Sequence, residues 1–345
     1  LKTFIFIIAL MLMAGAAFVP APARADVCEL PDDYRTEVLP GPEDGPTVVE
    51  MGILVADITG IDDVGQSIEG DFIIRKQWQD PRLEGVAGCR LHRSQVWFPV
   101  TDVLNSNLLR RSRGEFAADQ VRIGEGGVVV YLQRFFGTVA TYHQLQQFPF
   151  DMHDMTLRLA AFGYPKDKVQ LTLDMRFTSL AKLLNIPDWE ITGIDAEVVE
   201  EPIPELLAEY SMVKLYIHAK RNTSYYIWKV LFPLALIVIM SFLVFWINPE
   251  RFGPQIGLSA TSMLTLIAFQ FALTTTLPKV GYLTLMDKLI LGSTVLVFGS
   301  LIMATITAAL VVKGQSEKAL KIDQACRWLF PLALVGIWAA VLSRL

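Results

Sequence analysis

Histidine and cysteine are scarce, with four and three in 345 residues. No two histidines stand at a metal-ligand spacing such as His-x-x-x-His, so the sequence offers no metal site and calls for no cofactor. Basic residues are also thin where a nucleic-acid surface would need them. Residues 26–221 carry 19 Lys and Arg against 31 Asp and Glu, a net charge of −12, which argues against a nucleic-acid partner. The long apolar runs after Tyr225 hold no histidine, and their few acids lie at the ends. They therefore lack the clustered nucleophiles, metal ligands or paired carboxylates of a membrane-embedded enzyme. Between 48 and 221 no long helical period occurs.

What is present is apolar surface, unevenly placed. Hydrophobic residues make up 52% of the chain, and the mean hydropathy is +0.41. The apolarity sits in the first 25 residues and again after Tyr225. Lys2, the apolar run 4–19 and Ala23-Arg24-Ala25 have the pattern of a secretory signal, so 1–25 is set apart from the fold. Export would place Cys28 and Cys89 in an oxidising compartment, where they either pair or stand as two buried thiols. Cys326 falls in a membrane helix. Residues 26–221 show short alternating runs at 48–58, 72–78, 95–98, 120–123, 128–136, 155–161, 168–175, 189–198 and 211–219, the pattern of an antiparallel β-sandwich. The Pro-, Gly- and Asp-rich segment 31–46 reads as a loop or poorly ordered lead-in.

Residues 222–345 carry a net charge of +5 and four apolar spans, at 225–247, 254–277, 287–312 and a shorter 325–342. Lysines in the ten-residue connection after the third span, followed by Arg327, place that connection on the inner side of the membrane by the positive-inside rule. The second span is unlike the others. Gly257, Thr261, Leu264, Ala268, Phe271 and Thr275 recur at steps of four and three and share one helix face. Such a face is either the wall of a water pathway with apolar constrictions at Leu264 and Phe271, or a close-packing surface of small residues.

Several motifs then agree in order and spacing. Phe148-Pro149-Phe150-Asp151, Trp78-Gln79-Asp80-Pro81-Arg82-Leu83, Trp97-Phe98-Pro99, Arg221, Pro233, Phe245-Trp246-Ile247, Leu264, Pro278 and Arg327 with Phe330-Pro331 resemble the signature positions of the pentameric ligand-gated ion channels, the Cys-loop receptor superfamily. The two cysteines of animal members would fall at Thr141 and Met155, and their absence resembles prokaryotic members. The resemblance covers about 50 to 345. It implies a multi-domain membrane protein with a β-sandwich outside (26–221) and a four-helix transmembrane bundle (222–345). It further implies a homopentamer in a lipid bilayer, in a bacterial inner membrane with the sandwich in the periplasm, gated by a small-molecule or ionic agonist and passing inorganic ions.

By that resemblance Gly257, Thr261, Leu264, Ala268, Phe271 and Thr275 line the pore. Phe162, Tyr164 and Tyr210 correspond to agonist-site aromatics, with Glu200, Glu201, Glu205 and Glu209 nearby. Asp62, Asp63, Asp151, Arg221, Pro278 and Lys279 gather where the sandwich meets the membrane and couple binding to opening; Asp151 and Arg221 alternatively form a permanent ion pair. Leu104, Ile73 and Pro202 depart from the family's aromatic cage. The inner mouth, Glu250-Arg251-Phe252-Gly253-Pro254-Gln255, leaves the choice between cations and anions open, and the −12 charge leans it to cations. The alternative from another class is a non-conducting membrane-anchored sensor.

Overall fold

The computed structural model describes residues 28–41, 45–112, 119–184, 186–203, 208–274 and 277–343. The expected signal segment 1–25, Glu205 and Thr275 lie outside the described residues. Twelve strands occur among those described: β1 (Thr47–Asp62), β2 (Ser67–Gln79), β3 (Arg90–His92), β4 (Asp102–Val103), β5 (Arg110–Arg111), β6 (Gln120–Ile123), β7 (Val128–Ala140), β8 (Met152–Ala160), β9 (Val169–Leu173), β10 (Ser179–Leu180), β11 (Trp189–Ile203) and β12 (Ala208–Arg221). One sheet runs β10-β1-β2-β7-β6-β3, with β5 on β7 and β9 on β1; the other runs β11-β12-β8-β4. Their inward faces share one core, because residues such as Ile53, Phe72, Ile74, Leu157, Leu215 and Ile217 alternate with outward polar ones along each strand.

The sandwich departs from expectation in two places, while the lead-in is the loop expected and is tied down. Pairing is antiparallel except that β9 and β10 both add to β1 in parallel. Residues 95–98 are not a strand: His92 and Gln95 close a capping box around the turn Arg93–Gln95, and the Trp97 N–H donates to the Tyr34 hydroxyl at 2.9 Å rather than to a neighbouring strand. The lead-in is held rather than loose. Cys28 is disulfide-bonded to Cys89, and the Tyr34 hydroxyl donates to Asp80 at 2.8 Å while its ring lies under the Arg82 guanidinium. Asp80, fully buried, also accepts from the Arg82 side chain and backbone N–H, so the Trp78-to-Leu83 motif works as a bolt for this corner.

After Arg221, among the described residues, four helices are long and apolar enough to cross a membrane: α1 (Ser224–Trp246), α2 (Phe252–Leu273), α3 (Leu285–Val312) and α4 (Ser316–Leu342). Ahead of Pro233 the first helix widens into a π-turn over Ile227–Leu231, in which the Phe232 N–H donates to the Ile227 carbonyl. A wider turn relieves the clash between a proline ring and the preceding turn. The fourth helix is longer than hydropathy indicates. Gly314, at φ +75°, ends α3, the Gln315 N–H turns back to Leu310 O at 2.9 Å, and α4 starts at Ser316. The expected ten-residue connection is thus Lys313-Gly314-Gln315, and Lys318 and Lys321 ride on the first turns of α4.

The two halves interlock. Leu145 and Phe148, from the loop between β7 and β8, are buried in the helical core with Val230, Leu234 and Met286. The loop is pinned from both sides: the Leu145 N–H donates to the Tyr282 hydroxyl at 3.0 Å, and the Met286 N–H donates to the Phe148 carbonyl at 3.2 Å.

Candidate functional site

Two faces of α2 carry small or polar residues, and they do different things. Gln255, Ser259 and Ser262 are fully buried together with Leu266, against the rest of the bundle. Gly257, Thr261, Leu264, Ala268 and Phe271 are exposed, Leu264 by 67% and Phe271 by 72%. A Cβ built on Gly257 would meet nothing within 4 Å, whereas one on Gly292 of α3 would lie 2.7 Å from Ile337 on α4. Close packing by small residues therefore occurs elsewhere in the bundle, and among the described residues the stripe stays exposed. The Thr261 hydroxyl donates to the Gly257 carbonyl at 2.8 Å, which leaves its oxygen lone pairs facing outward.

The outward faces of the other helices are greasier. On α1 they carry Trp228, Phe232, Leu236, Ile239 and Leu243, on α3 Leu291, Val295, Phe298 and Ile302, and on α4 Trp328, Leu329, Leu332 and Val335. These are lipid-like surfaces. Exposed Thr305 and Ala309 on α3 and Gly336, Ala339 and Ala340 on α4 interrupt those faces towards the helix ends, whereas on α2 Gly257, Thr261 and Ala268 recur along the helix with Leu264, Ile267 and Phe271 between them.

In the sandwich, Phe162 and the mostly buried Tyr210 face each other with ring centroids 6.1 Å apart. Tyr164 does not join them. Its hydroxyl accepts from the Trp97 indole at 3.4 Å, and it continues an aromatic chain through Trp97, Trp78, Phe98 and Tyr131. The nearby acids among the described residues are already paired. Lys166 bridges Glu200 and Glu209, and Glu201 holds Arg158 and Lys214.

At the junction the structure brings Asp63, Asp151 and Arg221 together. The buried Arg221 guanidinium grips Asp151 through Nε at 2.8 Å and Nη2 at 2.9 Å, and reaches Asp63 from Nη2 at 2.8 Å. It also lies over the Trp189 ring at 4.1 Å and the Phe148 ring at 4.8 Å. Burial pushes the Asp151 carboxyl up, but the bonds from His153 and Arg221 outweigh it and hold its pKa at about 2. Asp63 is likewise held below its ordinary value against burial by His143 and Arg221, and the two carboxylates raise Arg221. Asp62 stays outside this cluster: its Oδ1 accepts from the backbone of Val64 and Gly65 in its own turn. Pro278 is half-buried and Lys279 exposed beyond the end of α2.

Sequence reasoning overlooked several buried polar groups. His143 and His153 stack in the junction. Lys76 points into the sandwich core over Phe98, its ammonium donating to the Pro99 carbonyl at 3.2 Å. Asp323 of α4, inside the bundle, accepts from the Gln255 amide at the foot of α2 at 2.9 Å. Only His153 had a local signal, its place just after the Phe-Pro-Phe-Asp motif.

Comparison with known proteins bears on both halves. Residues 26–223 match the neurotransmitter-gated ion-channel ligand binding domain, and residues 230–321 match the neurotransmitter-gated ion-channel transmembrane region. The chain is similar to the gamma-aminobutyric acid receptor subunit beta-4 of Gallus gallus, at 26% identity over 278 residues, which is 78% of this chain and 56% of that protein. It thus spans about half the length of that relative. With one model lying on the sandwich and the other on the first three helices and the start of the fourth, in chain order, the chain belongs to the neurotransmitter-gated ion-channel family.

Proposed function

We propose that this chain is a ligand-gated ion channel in which five identical copies surround one pore. Inorganic ions would pass along Gly257, Thr261, Leu264, Ala268, Phe271 and Thr275, with dry constrictions at the rings of Leu264 and Phe271. The observation that carries the reading is the contrast between the outward face of α2 and the lipid-like faces of the other three helices. A helix with such a stripe hides it from lipid by closing a ring of copies. An agonist, small molecule or ion, acts on the sandwich near Phe162 and Tyr210, with Tyr164 behind them. The relative's name specifies gamma-aminobutyric acid; an ammonium group of that kind suits the faces of two aromatic rings. Such a cation would displace Lys166 from Glu200 and Glu209.

Asp63, Asp151 and Arg221 then transmit the motion, with Asp62, Pro278 and Lys279 at the same level. The sandwich would lie in the periplasm of a bacterial inner membrane, a reading supported by Thr141 and Met155 in place of the two cysteines. Planar-bilayer recording of wild type and Leu264→Ser at matched protein density tests the reading. The substitution adds a hydroxyl to the constriction, so the variant should conduct at rest or respond to less agonist. If the variant behaves as wild type, the ring is not a gate; if neither conducts, the membrane-anchored sensor is the better account.

A further inference from the structure

The junction holds two carboxylates but one permanent cation. Asp63 and Asp151 both face Arg221, leaving one negative charge in a buried place. Beside them His143, from the segment after β7, and His153, on β8, stack with ring centroids 5.0 Å apart and planes 22° off parallel. Both are buried, at 1% and 6% exposure. His153 Nε2 lies 2.6 Å from Asp151 Oδ2. His143 Nε2 lies 2.7 Å from the Thr141 hydroxyl, while its Nδ1 has no hydrogen-bond partner among the described residues and points at Asp63 Oδ1 from 3.7 Å. On the far side His153 packs on Trp189, the ring that Arg221 covers. Asp188 and the Tyr226 phenol form the next layer of titratable groups, and Asp62 stands exposed on the neighbouring turn.

We propose that His143 and His153 form a proton-binding site whose occupancy sets how tightly Arg221 holds the two carboxylates. The first proton cancels the unbalanced negative charge. A second makes the cluster net positive and sets two cations face to face, so the two protons bind in separated steps that belong to the pair. The second proton also competes with Arg221 for Asp63 and Asp151. Asp63 sits on the β1–β2 turn, Asp151 follows the loop seated in the helical core, and Arg221 lies three residues before α1. A change of charge here therefore acts on the three segments that join sandwich to helices. That consequence for opening rests on the channel reading; the stepwise protonation does not.

Imidazole ¹⁵N NMR of the full-length protein in lipid nanodiscs, from pH 8 to 4.5, tests the site directly, since only four histidines need assignment. The His143 and His153 signals should respond to pH as a coupled pair, and His143→Gln should move the His153 step while leaving His218 in place. An unmoved His153 step overturns the proposal. In planar bilayers, the current of Leu264→Ser with protons as the only added ligand should change several-fold between pH 8 and 5. Adding His143→Gln or His153→Gln should abolish that change, and adding His218→Gln should not. A pH response that survives in both junction variants overturns the gating role. Coupled NMR steps without any current would uphold the proton site and count against the channel.

Discussion

At the level of single residues the energetics turn on buried charge. Lys76 has its pKa pushed down to about 7, first by burial and then by Arg111 and Arg93. The unfolded chain keeps that proton to about pH 10.4, so between the two values unfolding takes up a proton and stability rises with pH. Below pH 7 the whole penalty is present. Lys76→Met should therefore stabilise the protein near neutrality, and more at pH 6 than at pH 9. Thermal melts of both proteins at both pH values check this, and an equal gain at each would contradict it. Arg221→Gln works in the opposite direction, since it strands two carboxylates; breaking a buried pair in this way costs about 3–5 kcal/mol. Arg221→Gln protein should melt well below wild type, and an unchanged melt would show that Asp63 and Asp151 find other partners. These charges were only partly legible in the sequence. Asp151 and Arg221 sit in motifs, but alternation marks Lys76 as an inward position without saying how its ammonium is satisfied.

At the level of elements, alternation found the long strands because each buries a regular face, and hydropathy found the four helices because each carries a long apolar run. Alternation failed where a side chain replaced the backbone partner. Residues 95–98 alternate like a strand, yet His92, Gln95 and Tyr34 take up the backbone groups that a ladder would use. Hydropathy also placed the start of α4 too late, because its first turns are amphipathic and good helix formers such as Glu317, Lys318 and Lys321 look like a loop to an apolar window. The stop between α3 and α4 depends on the left-handed Gly314, where a side chain is strained. Gly314→Ala should cost about 1 kcal/mol, read as a lower melting temperature with the assembly intact; an unchanged melt would mean the turn rearranges freely. On α2, spacing alone drew the stripe from Gly257 to Thr275 but could not tell a pore wall from a packing seam. The structure adds the other face, where Ser259 and Ser262 do the packing.

At the level of the whole molecule, the loop carrying Leu145 and Phe148 makes the sandwich and the helices one mechanical unit, with the Arg221 cluster beside it. A closed ring of identical copies, five in the proposed reading, gives every α2 stripe the same surroundings. Native mass spectrometry from lipid-like detergent should find a pentamer, and a stable monomer or dimer would contradict that. The central claim is that the exposed stripe of α2 borders water and ions. It is tested most directly by cysteine accessibility in bilayers, on a Cys326→Ser background, with a charged methanethiosulfonate reagent. Thr261→Cys and Ala268→Cys channels should react and lose current, while Ser259→Cys and Leu266→Cys, on the buried face, should not. Equal reactivity on both faces, or none at Thr261→Cys and Ala268→Cys in a conducting channel, would contradict the account.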